Sequence, residues 1–156
     1  MTMKDLKQKM TTSISEVLET MFYMALEFEE CDNIQDSNID NEGDIRICRL
    51  DFTGSLTGHF IIFVPKDLLI TMASDFMGED KTDITQEYSD GTIKEIINMV
   101  GGNMFAVLDH EAEFNLGIPE IVEDSDFIRS ISSNPPEGLV IAEAIEGHLG
   151  FIIYAG

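Results

Sequence analysis

Basic residues are scarce in this sequence: nine lysines and arginines stand against thirty aspartates and glutamates, giving a formal charge of −21 over 156 residues. Such a surface repels the phosphate backbone and so lacks the attraction that dominates nucleic-acid binding; anionic membranes are disfavoured for the same reason. Long apolar runs are also missing. The most extended, residues 60–65 and 149–155, have strand length and fall well short of the roughly 20 residues a membrane-spanning helix needs. The basic N-terminus leads into an amphipathic pattern containing Glu16 and Glu19, with no apolar signal core or cleavage site, so a cytoplasmic location is expected. Only two cysteines occur, Cys31 and Cys48, without C-x-x-C spacing or a nearby histidine pair. Zinc and redox motifs therefore find no support, and both are expected as reduced thiols. No Gly-rich phosphate loop with lysine and no G-x-S-x-G elbow is present, so nucleotide hydrolysis and serine catalysis lack their defining residues.

What the chain does have is enough apolar content, 44% of its residues, to fold despite its charge. Its length suits one domain, taken as residues 1–156. Apolar residues at helical spacing predict a first helix over 12–28, followed by a polar, acidic loop over 31–44. Strands over 46–52 and 56–64, joined by Thr53-Gly54-Ser55, form a hairpin, and a second helix runs from Pro65-Lys66-Asp67 to Gly78. The main helix starts within residues 89–92 and ends near Asp109, with Ile93, Ile96, Ile97, Val100, Met104, Val107 and Leu108 along one stripe. A strand over 118–122 holds Pro119, which places it at an edge or at a strand start. A turn at 134–138 precedes a last hairpin over 139–145 and 149–154. Helix and paired strands thus occur twice, and Leu56-Thr-Gly-His-Phe-Ile-Ile-Phe is echoed by Ile145-Glu-Gly-His-Leu-Gly-Phe-Ile-Ile-Tyr. The expected fold is α+β: an antiparallel sheet with long helices on one face and an internal pseudo-repeat.

Within the main helix lies Glu95-Ile-Ile-Asn98-Met-Val-Gly-Gly-Asn103. Residues three apart lie about 60° apart around a helix, so Glu95 and Asn98 form one polar patch, and Gly102, Ala106 and Asp109 share their side. Each helical glycine costs about 1 kcal/mol relative to alanine, so something besides helix stability favours Gly101 and Gly102. An asparagine donates and accepts at once and can hold a water with its lone pair facing an electrophile, as amides do in phosphoryl transfer. Other readings of these residues stay open. Thr92-Ile-Lys-Glu95 matches a capping box, in which Glu95 merely reaches back to the Thr92 N–H, and exposed Glu and Asn are ordinary on a solvated helix face.

The same run resembles the signature helix of the CheC, CheX and FliY family of chemotaxis phosphatases, in which a glutamate, an asparagine three later and a small-residue segment ending in Gly-Asn recur. Leu116-Gly-Ile-Pro119 after that helix is similar as well, and the likeness spans nearly the whole chain. With one signature helix, and with Glu19 where the first half would need an amide, it looks most like the CheX branch. The resemblance implies hydrolysis of the aspartyl phosphate of a CheY-type response regulator. Asn98 would position the water and Glu95 would pair with the regulator's lysine. Magnesium would be held by the regulator, with no cofactor bound by this chain, and a homodimer is implied. Gly91 departs from the acidic or serine residue the family often has there, with Asp90 one earlier. A non-catalytic receiver-binding or flagellar-switch module is the alternative, and an orphan dimerisation domain a third.

Other motifs weigh less. Asp36-Ser-Asn38-Ile-Asp40 opens like a calcium loop, but Asn41 and Ile47 fill its glycine and glutamate positions. His59, His110 and His148 share no metal spacing and are expected to be structural, and the nine methionines are expected mainly in the core.

Overall fold

The computed structural model describes residues 2–29, 44–108 and 114–155. Cys31, the calcium-like segment, Asp109 and His110 lie outside them. A capping box does start a helix, but at the other end of the chain. Asp5 N–H donates to Thr2 Oγ1 (3.2 Å) while Thr2 N–H donates to the Asp5 carboxylate (3.0 Å), which lowers the Asp5 pKa. Helix α1 (Met3–Phe22) therefore begins well before residue 12, and Leu6, Met10, Ile14, Val17 and Leu18 form its buried stripe. It also stops before residue 28. Tyr23 takes a left-handed conformation with φ 55°, and Met24 N–H donates back to Leu18 O (3.2 Å). The predicted last turn is instead strand β1 (Glu27–Glu29), which a remote edge of the sheet pulls into extended form.

The hairpin of β2 (Ile45–Gly54) and β3 (Gly58–Pro65) follows as expected, and α2 (Lys66–Met77) ends at Gly78 with φ 67°. After a short 3-10 turn at Lys81–Asp83, α3 (Gln86–Leu108) starts earlier than residues 89–92. Thr85 initiates it: its Oγ1 accepts from Tyr88 N–H (3.2 Å) and its carbonyl from Ser89 N–H (3.0 Å). In place of one strand over 118–122 there are two short ones, β4 (Phe114–Leu116) and β5 (Glu120–Val122), with Pro119 between them. Both lie along the outer edge of β2, where a residue lacking an N–H is tolerated. Helix α4 (Phe127–Ser133) had no counterpart in the sequence reading; β6 (Leu139–Ala144) and β7 (Gly147–Ala155) close the chain as the second hairpin.

The seven strands form one antiparallel sheet in the order β1-β6-β7-β3-β2-β4, with β5 also on β2. The two hairpins meet at its centre through β3 and β7, and each receives its outer strand from the other half: β1 adds to β6, while β4 and β5 add to β2. Gly58-His59 and Gly147-His148 open the two central strands, and His59 stacks on Tyr154 across their junction (4.6 Å between centroids). The α+β expectation holds, with α1, α2 and α3 packed on one face. Their shared core is built from Leu50, Phe52, Phe60 and Ile62 of the sheet against Ile93, Ile97 and Met104. On the other face α4 seals a smaller core of Ile47, Ile61, Phe63, Ile141 and Ile152, with Ile131 buried and Phe127 edge-on to Phe63 at 5.3 Å. Cys48 is a buried free thiol whose pKa burial pushes up to about 11, so it stays protonated and unreactive. Among the described residues, no helix is long and apolar enough to cross a membrane.

Candidate functional site

Helix α3 is held against the sheet by its apolar stripe: Ile93, Ile96, Ile97, Val100 and Met104 are all buried. By the helical repeat, the opposite side must face outward. Glu95, Gly102 and Ala106 are indeed exposed and Asn98 is half-buried, which is the face expected from spacing, with Asp109 outside the described residues. The two glycines separate here into different roles. A Cβ on Gly101 would sit 3.2 Å from Leu50 Cδ2 and 3.3 Å from Phe60 Cε2, so its absence lets α3 lie close on the sheet. A Cβ on Gly102 would meet nothing within 4 Å, so no part of the described chain requires a glycine there.

The capping reading of Glu95 is overturned. Thr92 sits in the second turn of α3, buried, with its hydroxyl donating to Tyr88 O (2.9 Å), so its backbone N–H already belongs to the helix. Glu95 is left exposed, and among the described residues neither its carboxylate nor the Asn98 carboxamide has a hydrogen-bonded side-chain partner. The pair stands on the outward side of α3, beyond its buried stripe. Such a face cannot exclude water from a reaction alone, so any chemistry performed here is completed by a second surface.

Two contacts that local spacing could not reveal fix this helix. Arg46 on β2 makes a bidentate pair with Asp90 (2.9 and 2.8 Å) and a third bond to Glu123 (2.9 Å), and the hydrogen bonding to Asp90 raises its pKa. Asp90, beside the unusual Gly91, therefore anchors the start of α3. Further along, Asn103 Nδ2 donates to Glu16 Oε2 (3.1 Å), tying α3 to α1 beside a notch of about 510 Å³ lined by Val17, Thr20, Met21 and Met99. Glu16 of the first half thus holds Asn103 of the second. Glu19 is exposed on α1 and carries a carboxylate where Asn98 carries an amide.

Toward its N-terminal end, α3 borders a larger groove of about 960 Å³ shared with the end of α2. Glu95, Lys94, Gly91, Tyr88, Met77 and Phe76 line it. Phe76, near the end of α2, stacks on Phe22 (5.3 Å) yet keeps 38% of its surface in solvent.

Comparison with known proteins agrees with this arrangement. The sequence matches the family model described as chemotaxis phosphatase CheX over residues 46–140. A comparison with curated proteins finds no match. Among solved structures, chemotaxis protein CheX from Vibrio vulnificus is similar over 100% of this chain and 99% of its own, at 18% identity and a TM-score of 0.74. A chain of the CheX–CheY–BeF3–Mg complex from Borrelia burgdorferi is similar over 95% and 96%, at 18% identity and 0.66. A CheC-like protein from Shewanella sp. PV-4 is similar over 97% of both chains, at 23% identity and 0.67. At such identities these likenesses speak for the fold, and the family model adds the sequence; since its match covers more than half of the chain and takes in all of α3, with Glu95 and Asn98 near its middle, the chain belongs to the CheX family of chemotaxis phosphatases.

Proposed function

We propose that this protein hydrolyses the aspartyl phosphate of a CheY-type response regulator, with Asn98 and Glu95 as the residues it brings to the reaction. The observation that carries this reading is an exposed carboxylate and a half-buried amide three residues apart on the outward side of α3, both free of side-chain partners among the described residues. Asn98 accepts from one O–H of a water and turns its lone pair toward phosphorus. The water oxygen bonds to phosphorus as the bond to the aspartyl oxygen breaks, releasing the carboxylate and, once the water's proton is shed, inorganic phosphate. A carboxylate leaves readily without protonation. Positioning and charge neutralisation are therefore all that the site must supply. Glu95 pairs with the receiver's lysine and so sets the amide's register, and magnesium held by the receiver neutralises the phosphoryl oxygens. The CheX–CheY complex from Borrelia burgdorferi supports a receiver as the partner. In the same reading residues 1–156 are one phosphatase domain acting in the cytoplasm as a homodimer.

The test is phosphate loss from a phosphorylated receiver domain with magnesium. Asn98→Ala should slow turnover about 100-fold, the scale of losing one well-placed group, and Glu95→Ala should chiefly raise the receiver concentration required. Unchanged rates in both variants would sink the assignment. Receiver binding by the unaltered protein without turnover would favour the non-catalytic module.

A further inference from the structure

Accepting the receiver reading, we propose that the groove between α2 and α3 seats an apolar segment of the receiver beside its phosphorylation site, so that partner selection is made next to the Glu95–Asn98 pair. Three large apolar side chains, Phe76, Met77 and Tyr88, converge there while 38%, 41% and 43% exposed. Single exposed apolar residues are ordinary, whereas several rimming one groove mark a binding surface. The floor agrees. Gly91 lies inside α3, where glycine is less favourable than alanine, yet a Cβ there would meet nothing within 4 Å. Gly101 earns its place through the sheet beneath it; Gly91 has no such neighbour, and its bare backbone leaves room above the groove for an incoming chain.

Continuity names the occupant. Glu95 is itself part of the groove wall, and Gln86 at the far end is nine residues, or about 14 Å, along the helix. A standard interface covers about 800 Å² per partner, roughly 28 Å across. A receiver whose lysine reaches Glu95 therefore covers the groove. Glu87, Asp90 and Glu95 line the groove against one lysine, Lys94, and with Asp90 already paired to Arg46 the rim stays net acidic, which complements a lysine presented by the receiver. A receiver presenting a charged or bulky segment here would be refused although its phosphorylation chemistry is the same.

The experiment measures binding of a CheY-type receiver held in its active form by beryllium fluoride and magnesium, which needs no turnover. Gly91→Trp, whose Cβ starts in open space beside the groove, and Met77→Glu should each weaken binding tenfold or more. Gly91→Ala should stay within about threefold. On the phosphorylated receiver, Gly91→Trp should raise KM by the same factor as Kd, whereas Asn98→Ala lowers kcat and leaves Kd within threefold. Undiminished affinity in Gly91→Trp and Met77→Glu would overturn the proposal, as would a changed oligomeric state with undiminished affinity, which would give the groove to a second copy of the chain. Failure of the catalytic reading looks different: the unaltered protein binds the receiver without hydrolysing it, and the groove variants still decide the docking question.

Discussion

Gly101 and Gly102 are neighbours in sequence with opposite surroundings, and substitution should separate them. Alanine at the open Gly102 recovers helix propensity at no steric cost and should stabilise the fold by about 0.5–1 kcal/mol. Leucine at Gly101 must displace Leu50 and Phe60, both almost fully buried, and should destabilise it by about 1–3 kcal/mol, as overpacking does. Urea titration of the two variants measures both signs. Helical periodicity alone placed Gly102 on the outer face with Glu95 and Asn98, but which glycine meets the sheet depends on the contour of β2 and β3 beneath. Thr92 shows the same limit. Its spacing to Glu95 suits a capping box, and only the actual helix start, fixed by Thr85, decides that Thr92 lies inside.

At the level of elements, α3 works because it is clamped near both ends of its polar face, by Arg46 at Asp90 and by Glu16 at Asn103. Arg46 and Asp90 keep only 14% and 20% of their side-chain surface in solvent. Arg46→Met would leave a largely buried carboxylate without its main partner. The expected cost is about 2–3 kcal/mol, the lower side of what breaking a buried pair costs because some solvent contact remains. Adding Asp90→Leu to that variant should recover much of the loss, and thermal unfolding of the single and double variants checks it. Elements with strong local periodicity or a clear stop, such as α2 with Gly78 and the two hairpins, were legible from sequence. Strand β1 was not, because Glu27 and Phe28, which read as helix, are held extended by β6 far along the chain. Helix α4 escaped because seven residues carry too little periodicity, and its purpose, covering the second face of the sheet, exists only once the sheet is assembled.

For the whole molecule, the charge of −21 is a standing repulsion that few ion pairs among the described residues offset. One instance sits in the sheet itself, where Glu27 is opposite Glu143 in the β1–β6 pair. Salt screens such repulsion, so the melting temperature should rise by several degrees between 20 and 300 mM sodium chloride, measured by circular dichroism. A fall over that range would mean that attractive pairs such as Arg46–Asp90 dominate the balance instead. The reciprocal exchange of outer strands bears on how the protein is made. Glu27 pairs with Glu143, so during translation β1 leaves the ribosome and waits until 116 further residues (143 − 27) have followed before its partner exists. Until then the newborn chain carries an unmated strand segment, and its acidic sequence, Glu27-Phe28-Glu29, gives that segment like charges that deter it from pairing with a neighbouring nascent chain.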